Sequence, residues 1–150
     1  MAWGFISKLK TMLNDIVDQA SKFMKGDVFD ACMATVVMVG WADGDFDASE
    51  KMKALKFVQS HPTMKGFTAD DVKKAFAKYD DVCTLDVAMG RDECKKALAK
   101  IVNTDEEARK LVVRVGILIG GADGDFDDNE KAVMRDVCRT LNLRPTDFDL

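Results

Sequence analysis

The chain has 150 residues, 47% of them hydrophobic, which fits one domain with a real core and excludes a disordered chain. Two prolines and ten glycines leave little room for long loops, and Leu, Met, Ala, Lys and Asp favour helices over strands. The balance of 22 basic to 26 acidic residues, a net charge of -4, argues against a general nucleic-acid binder, which needs clustered Lys and Arg.

Apolar residues at Ile6, Leu9, Leu13, Ile16, Val17, Ala20, Phe23 and Met24 repeat at helical spacing, so a first helix is predicted over Phe5–Met24, stopping near Gly26. Charges interrupt it throughout, which excludes a secretory signal, and no stretch reaches the roughly 20 apolar residues of a membrane span. Two readings of this helix stand: docking on a membrane surface or partner, or packing on its own domain. Val28–Ala42 is apolar on most sides and reads as a central helix. A third helix is expected over Ala48–Ser60, ended by His61-Pro62. Thr68 and Asp71 resemble a capping pair opening a fourth helix that runs to Tyr79.

A fifth helix is expected over Asp80–Ile101, with Val82, Leu85, Met89, Ala97, Leu98 and Ile101 on its apolar face and Gly90 weakening its middle. Thr104 and Glu107 suggest a capping box for a sixth helix ending near Gly121. A seventh covers Asp128–Leu141, followed by Arg144-Pro145 and a short tail. The expectation is an all-α fold: a single compact helical domain over residues 1–150 with about seven helices. Cys32, Cys83, Cys94 and Cys138 form no C-x-x-C pair and sit among apolar neighbours, so buried, reduced thiols are expected. One histidine, His61, makes a zinc site unattractive.

The strongest feature is internal. Gly40-Trp41-Ala42-Asp43-Gly44-Asp45-Phe46-Asp47-Ala48-Ser49-Glu50-Lys51 recurs as Gly120-Gly121-Ala122-Asp123-Gly124-Asp125-Phe126-Asp127-Asp128-Asn129-Glu130-Lys131, with nine of twelve positions identical at an offset of 80. This implies two similar helix–loop–helix units, residues 28–60 and 105–141, and a pseudo-twofold axis relating them is expected. Gly44 and Gly124 suit a sharp turn, and Phe46 and Phe126 suit folding back onto the core.

The acids Asp43, Asp45, Asp47 and Glu50, and Asp123, Asp125, Asp127 and Glu130, are the candidate metal ligands. Packed together, like charges at ~6 Å repel by roughly 0.7 kcal/mol per pair in water, which a hard cation relieves. Calcium is the first choice and magnesium the second. The loop is not an EF-hand, because glycine is second here and not sixth. Helix capping alone accounts for Asp47, Glu50, Asp127 and Glu130, but not for Asp43, Asp45, Asp123 and Asp125. No nucleophile–base pair is visible, so an enzyme is not expected.

Arg114-Val115-Gly116-Ile117 leading into Ala122–Lys131, the ending Leu141-Asn142-Leu143-Arg144-Pro145-Thr146-Asp147-Phe148, and the first element through Ala42, Asp43, Gly44 and Glu50 together resemble the tellurite-resistance TerB family. The likeness is strong over residues 108–150, good over 30–57 and weak over 60–103. It implies an all-helical, non-enzymatic, cytoplasmic protein of a stress-response system. It implies an adaptor role between a TerC-like membrane protein and TerD-like calcium-binding proteins at the inner membrane. It also implies divalent metal on Asp43, Glu50, Asp123, Asp127 and Glu130. The first loop departs from the family in being richer in acid. The alternative is a purely structural acidic interaction domain without a metal site.

Overall fold

The computed structural model describes residues 2–122 and 126–150, with side chains from Leu13 onward. Its elements are α1 (Ala2–Phe23), α2 (Gly26–Gly40), α3 (Ala48–Ser60), α4 (Ala69–Leu85), α5 (Val87–Ala99), α6 (Glu106–Gly120) and α7 (Asp128–Thr140), with 3-10 turns at Pro62–Met64 and Pro145–Phe148. No strand is present among the described residues.

The core is organised around α2. Every residue from Ala31 to Val39 is buried, so over this stretch α2 has no solvent face, and the helix is packed by α3, α4, α5, α6 and α7. The buried Thr35 hydroxyl donates to the Ala31 carbonyl at 2.9 Å, which satisfies it within the helix. Close contact with α6 is made possible by Gly116, where an added Cβ would lie 2.7 Å from Thr35 Cγ2 and 2.6 Å from Met134 Sδ. Leu111, Met134 and Leu141 are fully buried, each contributing about 1.5–3 kcal/mol.

From Leu13 onward α1 packs on its own domain. Ile16, Ala20 and Met24 are buried, and the helix lies against α6 and the Pro62–Met64 turn. The side chains of Trp3, Phe5, Ile6 and Leu9 lie outside those described. No helix among the described residues is long and apolar enough to cross a membrane.

Three expectations are corrected. The fourth helix does not stop at Tyr79; it continues to Leu85, and the break falls at Asp86. Asp86 is extended (φ -161°, ψ 119°) and its carboxylate accepts the Met89 N–H at 3.0 Å, so it caps α5. The break turns the expected apolar face outward at its start: Leu85 is 84% exposed and Met89 58%, while Ala97, Leu98 and Ile101 are buried. Gly90 is a contact glycine and not a weak point, since α5 lies directly on Cys83 there. Finally, Thr104 does not cap α6. Asp105 does, accepting the Glu107 N–H at 2.9 Å, while the Thr104 hydroxyl donates to the Ile101 carbonyl.

The Thr68–Asp71 capping box forms in both directions. The four cysteines are free and buried. Burial raises the Cys32 thiol, and lifts Cys138 to about 11, so neither is a thiolate at neutral pH.

Candidate functional site: an acidic cleft between two helix-entry loops

Both acidic loops end in the same local structure. Asp47 accepts the Glu50 N–H at 2.8 Å and Glu50 accepts the Asp47 N–H at 3.4 Å, a closed capping box at the start of α3. Asp127 and Glu130 repeat it at α7, at 2.8 Å and 3.2 Å. Each loop is also tied to the helix before it by a phenylalanine over a glycine. A Cβ on Gly40 would lie 2.4 Å from the Phe46 ring, and one on Gly120 would lie 2.5 Å from the Phe126 ring.

In the first loop Gly44 has φ +86°, which a side-chain-bearing residue rarely adopts, and its N–H donates to the Trp41 carbonyl at 2.9 Å. Asp43 accepts the Asp45 N–H at 3.0 Å, an Asx-type turn. Asp43 therefore has a structural role that capping does not cover. Asp123, Gly124 and Asp125 of the second loop lie outside the described residues.

Described residues of both loop regions line one cleft of about 540 Å³. Asp43 and Glu50 line it from one side, Asp127 and Glu130 from the other, with Lys53 beside them. Its apolar wall includes Val39, Ala54, Phe57 and Ile119. Of the predicted ligands, then, four are brought together; Asp45 and Asp47 do not line the cleft. Among the described residues no three His, Cys, Asp or Glu side chains are close enough to hold a metal ion by themselves.

The capping pair of the first loop shifts the proton affinity of both its members. The Asp47 N–H favours the charged form of Glu50, but desolvation and the neighbouring carboxylates of Asp47 and Asp43 outweigh that and raise it above its usual 4.5. The Glu50 N–H holds Asp47 below its usual 3.8.

Sequence reasoning missed the clamp that fixes the first loop. Trp41 is buried, and its indole N–H donates to Asp80 Oδ1 at 2.8 Å. Lys51 Nζ lies 3.0 Å from Asp80 Oδ2, donates to the Thr84 hydroxyl, and sits 5.1 Å from the centre of the Trp41 ring. Arg91 Nη2 donates to the Trp41 carbonyl at 3.0 Å, placing a cation at the carbonyl end of α2. The available signal was Trp41 itself, the bulky residue that stands where the second copy has Gly121. Nearby, the Cys83 and Cys94 thiols hydrogen-bond each other, which lowers Cys83 and raises Cys94.

A helical domain in which α2 and α6 each lead to a capped helix start, with a phenylalanine ring set over the last glycine of the preceding helix, is the class of protein defined here. A comparison with protein families matches residues 29–150 to "Tellurite resistance protein TerB". The chain belongs to the TerB family, which is not known as a family of enzymes. The match takes in both acidic loops and leaves all of α1 outside. No curated protein and no solved structure matches the chain.

Proposed function

We propose that this chain is a non-enzymatic, cation-responsive adaptor in tellurite resistance, holding a divalent cation through its acidic loops and linking a TerC-like membrane protein to TerD-like soluble partners. The observation that carries the reading is the convergence of Asp43, Glu50, Asp127 and Glu130 on one cleft. An all-carboxylate donor set suits a hard cation, calcium before magnesium. Capping leaves acceptor capacity, because a carboxylate has about four lone-pair sites and a backbone N–H takes one. The described carboxylates do not by themselves gather closely enough to hold an ion, so the reading requires water to supply further oxygens.

The test is a thermal melt after chelation, then with millimolar Ca²⁺ and separately Mg²⁺. A cation at a hundred times its Kd adds about 2.7 kcal/mol, a shift on the order of 5 °C or more. The double variant Glu50→Gln, Glu130→Gln retains the capping side-chain type and should lose the shift. No shift with either ion sinks the cation reading. It leaves the alternative, a structural acidic interaction domain, which the turn and cap roles of Asp43, Asp47 and Asp127 favour.

The shift should also shrink in weak acid. Glu50 is held above 4.5, so protons displace a cation from it before they reach an ordinary glutamate. Without cation the two members of the pair act oppositely on stability. Glu50, raised on folding, contributes stability below about 4.5 that is lost as pH rises through its folded value. Asp47, lowered on folding, contributes stability above about 3.8 that is lost as pH falls through its folded value. A cation-induced shift that is the same in weak acid as at neutral pH would exclude Glu50 as a ligand.

A further inference from the structure

We infer that the cleft is also a docking groove for a Lys- or Arg-rich peptide segment bearing an apolar anchor, and that segment and cation compete for it. The competition rests on the cation reading above; the docking does not. About 540 Å³ is far more than one ion needs and fits several side chains. The half-buried Phe57, Ile119 and Ala54 on its wall offer nothing to a hydrated cation, but they suit an apolar anchor and the methylene stems of lysines. The rim decides which segment fits. Asp43, Glu50, Asp127 and Glu130 oppose a single described base, Lys53, so an acidic segment is repelled and a basic one is drawn in.

The test is fluorescence anisotropy on the full chain with a labelled peptide of alternating leucine and lysine, and its leucine–glutamate counterpart as control. In chelator the lysine peptide should bind and the glutamate peptide should not. Glu50→Gln with Glu130→Gln should weaken binding by about tenfold, and millimolar Ca²⁺ should do the same. Lys53→Ala removes the opposing charge from an exposed position and should tighten it several-fold. Phe57→Ala strips the apolar wall two turns along α3 from Glu50 and should weaken binding several-fold while preserving the cation-induced melting shift. If that variant melts early, Lys53→Ala carries the test, since it changes charge and not packing. Equal binding of both peptides, or lysine-peptide binding indifferent to both Lys53→Ala and the glutamine pair, overturns the groove. A cation-stabilised protein that ignores the lysine peptide overturns it too and leaves the cation reading intact. Groove-dependent peptide binding with no cation effect on the melt supports the docking and removes the competition.

Discussion

Asp80→Ala is expected to destabilise the protein by about 3 kcal/mol, seen as a fall in melting temperature of roughly 6–12 °C. Asp80 is 8% exposed and serves two partners at once, the Trp41 indole N–H at 2.8 Å and Lys51 Nζ at 3.0 Å. Truncation leaves a buried donor unsatisfied and a largely covered ammonium without its counter-charge. Asp80→Asn retains an acceptor for the indole and removes only the charge, so it should fall between wild type and alanine. The effect should be local to the first loop: the Trp41 indole N–H resonance should move in both variants, and most in alanine. A melt of Asp80→Ala within a degree of wild type would mean that the clamp does not hold the loop.

Gly90→Ala should cost about 1–3 kcal/mol even though alanine is the better helix former by about 1 kcal/mol. The added Cβ would stand 2.2 Å from Cys83 Sγ, 2.6 Å from Cys83 Cα and 2.7 Å from Cys83 N. A sulfur can rotate away, but backbone atoms cannot, so α5 has to lift from α4. Adding Cys83→Ala should therefore recover only part of the loss. Gly66→Ala meets no atom within 4 Å and serves as the control, staying within about 0.5 kcal/mol of wild type by thermal melt. Full recovery in the double variant would locate the clash in the thiol alone.

Most of the helical framework was legible because its signals are local. The apolar run from Ala31 to Val39 is dense enough to read as a central helix, and Asp47, Thr68 and Asp127 each announce a helix start by the acid three residues on. The junction of α4 and α5 was misread for a tertiary reason. Asp80 looks like a boundary residue, yet it lies mid-helix because Trp41 and Lys51 satisfy it from across the fold. With that satisfied, the chain breaks instead at Asp86, and Leu85 and Met89 are left outside. Thr104 lost the cap of α6 to the neighbouring Asp105, a competition between adjacent residues that spacing alone does not rank. In the site, the acids were legible as a repeated pattern. That Asp43 and Glu50 face Asp127 and Glu130 over an apolar wall was not, because it depends on how α2, α3 and α6 pack.

The glycine–phenylalanine contacts bear on how such a protein can change over generations. At both loops the ring occupies the space a side chain at Gly40 or Gly120 would need, so neither partner can be exchanged singly. Between them Asp45 is exposed and only its backbone N–H is used by the turn, so its side chain can vary while the loop keeps its anchor. A loop pinned at its ends and open in its middle lets carboxylates be gained or lost one at a time. Binding strength can then drift by single substitutions, and the two copies can drift apart, without either passing through an unfolded ancestor.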